Sequence, residues 1–282
     1  MKGKKKIIAF TLLIISLLIA IGFTIVSLLD NKAKEVKVAK RFVEKLQKMD
    51  IIDTKLNVEK IEFKSVDKVI NKNSKTQYIV VGENLGINLD SKYVVTGFSE
   101  KVKEDISPDS IIDKDNAKIL AEEYVSKITN EKFEFKEVRE VKEEGKKSNT
   151  YTIAFYKYVK DYPCYDNEIV VNINRTSGKL QSYTNQSINK VKYNIKKNID
   201  LEEAKNISIE YFSKLNIKSQ IVKEPLLSVT LRVDGEFELS YVVDLNVITN
   251  DGKIDKYKLF INAESGEVVN RTSELIQDST SN

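Results

Sequence analysis

Two hexapeptides constrain this chain more than anything else in it. Ile173-Asn174-Arg175-Thr176-Ser177-Gly178 returns as Ile261-Asn262-Ala263-Glu264-Ser265-Gly266. A strand end followed by a Ser-Gly turn, spelled twice, points to a unit used more than once. A second marker keeps step with it. Ala39-Lys-Arg-Phe42-Val43-Glu-Lys-Leu46, Ala121-Glu-Glu-Tyr124-Val125-Ser-Lys-Ile128 and Ser208-Ile-Glu-Tyr211-Phe212-Ser-Lys-Leu215 share apolar residues at i+3, i+4 and i+7. That spacing is the buried stripe of a helix. Helix motifs start at 39, 121 and 208, and turn motifs at 87, 173 and 261, an interval of about fifty residues each time. The first turn, Ile87-Asn88-Leu89-Asp90-Ser91-Lys92, is a degraded copy without the glycine.

Strands fill the space between the markers. In the third copy Phe237, Leu239, Tyr241, Val243, Leu245 and Val247 alternate strictly, the mark of a strand with one buried face. Val229, Leu231 and Val233 alternate before it, with Asp234-Gly235 as a tight hairpin turn. Asn250-Asp251-Gly252 turns the chain into Tyr257, Leu259 and Ile261, and Ser265-Gly266 into a last strand through Val268. The second copy repeats the plan near 133–142, 149–159, 167–174 and 179–184. Asp200, with Glu203 three residues on, predicts a capped start for the third helix.

One segment stands outside the repeat. Residues 7–29 carry no charge and follow Lys2, Lys4, Lys5 and Lys6. About 20 apolar residues span the hydrocarbon layer as a helix, and a cleaved signal peptide has a shorter apolar core. The segment is expected to be a single transmembrane signal anchor. The dense lysines before it favour a cytoplasmic N-terminus and a body outside the cytoplasm. The expected fold is therefore α+β: a transmembrane helix followed by three tandem units, each one helix packed on a four-strand antiparallel meander. The expected boundaries are a basic tail at 1–6, the anchor at 7–29, units at 31–106, 112–188 and 199–275, and a polar tail at 276–282.

Charge and composition exclude several chemistries. Lys and Arg number 46 against 42 acids, and the four N-terminal lysines account for the whole surplus. A neutral body carries no nucleic-acid footprint. There is no histidine, which removes the commonest general base and metal ligand. The single cysteine, Cys164, cannot form an intramolecular disulfide or a multi-thiolate metal site. Glu122-Glu123, Glu143-Glu144 and Glu202-Glu203 read as solvated pairs. Asp113-Lys-Asp115 fails as a calcium loop because Lys118 stands where the loop needs glycine. No catalytic residue, cofactor site or metal site is expected. The candidate partner-binding residues are Tyr156, Tyr158, Tyr162 and Tyr165. Tyr156 and Tyr158 share the strand face opposite Ile153 and Phe155, and exposed tyrosines suit a protein interface.

The residues resemble the PepSY superfamily, in particular proteins with YcdB/YcdC-type repeats in Gram-positive bacteria. The third copy carries the resemblance best, in Ser240-Tyr241-Val242-Val243-Asp244 and in Tyr257 through Ile261-Asn262-Ala263-Glu264-Ser265-Gly266-Glu267-Val268-Val269. The second copy adds Tyr162-Pro163-Cys164-Tyr165-Asp166-Asn167-Glu168-Ile169, similar to the Pro-containing hairpin of the repeat variant, then Ser177-Gly178-Lys179-Leu180. The chain departs from that variant in having no tryptophan. The resemblance implies a non-catalytic, extracytoplasmic module that binds and restrains other proteins, with a cell-envelope hydrolase or peptidase as the expected partner. The alternative is an accessory subunit of a membrane sensor or signalling complex, acting through its transmembrane helix.

Overall fold

Three helices carry the stripes read from the sequence, in a computed structural model that describes residues 34–52, 63–69, 76–101, 112–139, 142–143, 146–147, 149–185, 192–232, 234–248 and 252–274. Helix α1 covers 34–48 and buries Ala39, Val43 and Leu46. Helix α2, Lys114–Ile128, buries Ala117, Ala121, Tyr124 and Val125. Helix α3, Leu201–Ser213, buries Ala204, Ser208 and Phe212. Asp200 accepts from the Glu203 amide at 2.9 Å, and the Glu203 carboxylate accepts from the Asp200 amide at 2.7 Å, which is the expected capping box. Asp113 caps α2, accepting from the Asn116 amide at 2.8 Å. The stripe overruns the helix in one place. Leu215 lies beyond α3 and is exposed, because Asn216 turns left-handed at φ 58° and the Ile217 amide bonds back to the Phe212 carbonyl.

The strands are β1 (Phe63–Lys68), β2 (Thr76–Gly82), β3 (Leu85–Asp90), β4 (Val95–Glu100), β5 (Phe133–Arg139), β6 (Lys142–Glu143), β7 (Lys146–Lys147), β8 (Thr150–Val159), β9 (Tyr162–Asn174), β10 (Leu180–Thr184), β11 (Tyr193–Asn194), β12 (Lys218–Ile221), β13 (Leu226–Leu231), β14 (Phe237–Ile248), β15 (Ile254–Asn262) and β16 (Val268–Glu274). Fourteen of them form one sheet, whose main path runs β1-β2-β3-β4-β10-β9-β13-β14-β15-β16, while β6 and β7 pair apart.

This overturns the expected fold class. The described residues are mostly strand, and the copies do not close as three separate helix-on-meander units. Strands of one copy hydrogen-bond into the next. Strand β4 pairs antiparallel with β10, Phe98 opposite Tyr183, and β9 pairs parallel with β13, Cys164 opposite Val229. Period-two patterning fixes which face of a strand is buried but says nothing about which backbone edge it meets. The expected transmembrane helix is a separate matter: no helix among the described residues is long and apolar enough to cross a membrane. Residues 7–29 lie outside the described residues.

The chain divides into two compact units, each assembled from three chain segments: 1–124, 140–152 and 171–186 in one, and 125–139, 153–170 and 187–282 in the other. In the first, Val43, Leu46, Ile87, Phe98, Ala121 and Ile173 lie in the core. In the second, α3 lays Ala204 and Phe212 on Leu239, Val243 and Leu245 of β14 and on Leu259 and Ile261 of β15.

Each unit holds one copy of the same junction between turn and helix. In one, the Ile112 amide donates to the Arg175 carbonyl at 3.2 Å; in the other, Ile199 donates to Ala263 at 3.0 Å. Asn174 Oδ1 accepts from the amides of Thr176 and Ser177, and Asn262 Oδ1 from those of Glu264 and Ser265, all at 2.8–2.9 Å. Gly178 and Gly266 follow at φ 70° and 75°. An added Cβ would meet Leu120 at 3.1 Å in one and Ile207 at 3.2 Å in the other. The hydroxyls of Tyr151 and Tyr241 donate to the carbonyls of Ile112 and Ile199. The degraded first turn sits two residues later than its spelling suggests. Asp90 Oδ1 accepts from the Lys92 and Val94 amides at 2.8 Å each, and Tyr93 takes the left-handed position at φ 64°.

Candidate functional site

The tyrosine-rich stretch lies on β8 and β9, with β5 paired to β8. Alternation along β8 buries Ile153, Phe155 and Lys157 on one side and leaves Tyr156 and Tyr158 partly buried on the other. Tyr156 and Tyr165 come together, ring centroids 6.2 Å apart, and Tyr165 meets the edge of Phe260 at 5.3 Å. Tyr158 stands beside them on β8 with partners of its own. Its hydroxyl donates to Glu134, and Lys132 lies 3.9 Å from its ring centre. Tyr162 is drawn elsewhere, packing on the core around Cys164, Val229 and Leu239.

Lysines hold the Tyr156–Tyr165 pair. Lys136, with only 9% of its side chain exposed, lies 4.0 Å from the Tyr165 ring centre and 4.9 Å from that of Tyr156. Its ammonium donates to the Tyr165 carbonyl at 3.0 Å and to Glu168 at 2.5 Å. Arg139 reaches the same Glu168 oxygen at 2.8 Å. From β15, Lys258 approaches Tyr165 at 5.6 Å and pairs with Asp244 at 3.3 Å. Around the cavity of about 550 Å³ that opens here, Lys136, Arg139 and Lys258 balance Glu137, Asp166 and Glu168.

Five titrating groups in this region are pushed away from neutrality, while burial raises the Asp166 carboxyl toward it. Burial, reinforced by Tyr165 nearby, raises the Tyr156 phenol. The hydrogen bond to Glu134, with some burial, pushes Tyr158 up to about 12. Burial pushes the Cys164 thiol up to about 11. Burial works against the Glu168 carboxylate, but hydrogen bonds from Arg139 and Lys136 outweigh it and hold its pKa below the usual range. Burial also opposes the charge of Lys258, yet its interactions with Tyr165 and Asp244 raise it. Groups that keep one protonation state through neutral pH suit recognition better than proton transfer, which works best near the ambient pH. A thiol raised in this way is a poor nucleophile.

Sequence reasoning misses two sets of residues. Lys136, Lys258 and Glu168 complete the tyrosine network, yet they come from three strands whose pairing no spacing reveals. Alternation along β14 puts Glu238 on the wet side of the strand. It is instead 2% exposed, held through Oε2 by the Asn262 amide at 2.7 Å. The available signal is Asn262 itself, a turn residue repeated from Asn174.

Residues 80–187 match the model of a family described as the YcdB, YcdC repeated domain. No curated protein matches the chain. Among solved structures, the Bacillus megaterium YpeB C-terminal domain aligns with a TM-score of 0.53 at 16% identity, covering 86% of this chain and 96% of that one. At that identity the likeness speaks for the fold.

Proposed function

We propose that this chain, whose residues 80–187 belong to the YcdB/YcdC-type repeats of the PepSY family, works outside the cytoplasm as a protein-binding module that restrains or stabilises a cell-envelope hydrolase or peptidase. The observation that carries this reading is the lysine–tyrosine network of Lys136, Tyr156, Tyr165 and Lys258. Tyrosine and arginine are enriched at protein interfaces, and side chains already fixed lose little freedom on docking. Here the rings are held from one side by buried or paired cations and keep part of their surface in solvent. Tyr158 extends the face, and Arg139 stands at its border. The balanced charge of the cavity suits a partner recognised by shape and hydrogen bonds. The partner class follows from what the family resemblance implies.

A photo-cross-linking side chain at position 158, in cells producing the full chain, tests this. It should capture one envelope hydrolase or peptidase, and Tyr158→Ala should weaken that complex by about 1–2 kcal/mol, as removal of an interface anchor does. The partner enzyme should then fall in abundance or escape restraint. Unchanged enzyme level and activity in Tyr158→Ala and Tyr165→Ala, with no cross-link at 158, would contradict it.

A further inference from the structure

A second cavity, of about 620 Å³, opens over Glu238 in the same compact unit, and its lining is unlike that of the first. Asp166, Asp234, Glu264 and Glu267 join Glu238 around it, against a single cation, Arg232. Arg232 spends its shorter contact, 3.0 Å, on Asp234 and stays 3.8 Å from Glu238 Oε2, beyond hydrogen-bonding distance. Asn194 and Lys196 already hold Glu264, each at 2.9 Å. Glu238 Oε1 is buried without a donor. The Thr230 hydroxyl donates to Ser240 Oγ at 2.8 Å, and the Ser240 hydroxyl beside Glu238 favours its charged form without meeting Oε1. A buried carboxylate oxygen with no partner is costly, so its retention asks for an incoming donor.

The walls say what kind of donor. Leu231 and Val269 line the cavity and are 40% and 38% exposed. Apolar sides above an acidic floor match a methylene stem that ends in a cation. Among the described residues no group of three acids converges as metal ligands would. We propose that this cavity receives one lysine or arginine side chain of a polypeptide partner, its stem along Leu231 and Val269 and its charged head on Glu238. The cavity adjoins the tyrosine network at Asp166 and Phe260, but Glu238, Leu231 and Val269 lie outside that network, so the proposal would stand if the tyrosine face bound nothing.

The test titrates the isotopically labelled full chain with end-blocked Gly-Gly-Lys-Gly-Gly, its arginine and norleucine analogues, spermidine and calcium chloride, following the Asn262 side-chain amide by NMR. The lysine and arginine peptides should shift that signal saturably and the norleucine peptide should not. Glu238→Gln should weaken binding about tenfold or more, as loss of a charge-assisted contact does. Should Glu238→Gln fail to fold, Asp234→Asn with Glu267→Gln, both at the rim, should still weaken binding about threefold and flatten its salt dependence. The proposal is overturned if norleucine binds as well as lysine, if these variants bind undiminished, or if only spermidine or calcium moves the signal.

Discussion

The turns at Asn174 and Asn262 are near copies in hydrogen bonding, yet among the described residues only Asn262 has a second task. Both asparagines close the turn with Oδ1. Asn262 also donates its amide to the buried Glu238. The shared backbone bonds fix the register: Arg175 donates to Asn149 and Ala263 to Leu239, so the place of Glu238 in the second copy falls on Ser148, outside the described residues. The comparison teaches that the repeat supplies a scaffold, and that specialisation entered by changing one neighbour of a conformationally fixed turn.

Substitution at the asparagines separates the two tasks most strongly. Asn174→Ala leaves turn amides unbonded and should cost about 1.5 kcal/mol, whereas Asn262→Ala also strips a buried carboxylate of its donor and should cost about 3 kcal/mol. Equal losses by calorimetric unfolding would erase the distinction. The glycines should behave alike: Gly178→Ala and Gly266→Ala each force an L side chain into a left-handed backbone against Leu120 or Ile207, at about 1–2 kcal/mol. A loss at only one of them would mean the two junctions are not equivalent. Helix caps sharpen the match further. Asp113→Ala and Asp200→Ala should each cost about 1 kcal/mol in the same measurement.

The smallest effect has the opposite sign. Burial raises the Glu238 carboxyl above its ordinary value, with the Asn262 bond opposing. Its unfolded form ionises near about pH 4.3, so wild-type stability falls as pH rises from there through the raised value. Glu238→Gln should therefore gain on wild type across that window and lose the advantage in acid. Melting curves at both pH values check it, and a variant less stable at neutral pH would mean Glu238 is fully satisfied.

Much of this is legible residue by residue, and the remainder requires spatial partners. Ala39, Val43 and Leu46, or Ala204 and Phe212, announce helices because a buried stripe must recur every third or fourth position. Asp200 and Glu203 announce a cap because both ends of that exchange lie within one turn. Spelling misplaces the first-copy turn because Asp90 and Tyr93 do the work of Asn and Gly without resembling them. Nothing local tells β9 that its edge will meet β13, so the pattern predicts separate meanders where one sheet forms. In the candidate site, alternation places Tyr156 and Tyr158 on a common face. The lysines that hold the rings, and the burial of Glu238 at residues 238, 240 and 242 on the second face of β14, depend on chain segments far away in sequence.

The pairing of β9 with β13 is where copies two and three join, and the lone cysteine offers a direct probe of it. Cys164 and Val229 are fully buried backbone partners. Val229→Cys places two thiols on adjacent strands, within the span a disulfide bridges. Refolded from urea under a mild oxidant, the full-length variant should lose two hydrogens in mass and yield a digest peptide linking 164 to 229, while Val247→Cys should keep both thiols. Two free thiols in Val229→Cys, or equal cross-linking in Val247→Cys, would contradict a single sheet running through the copies.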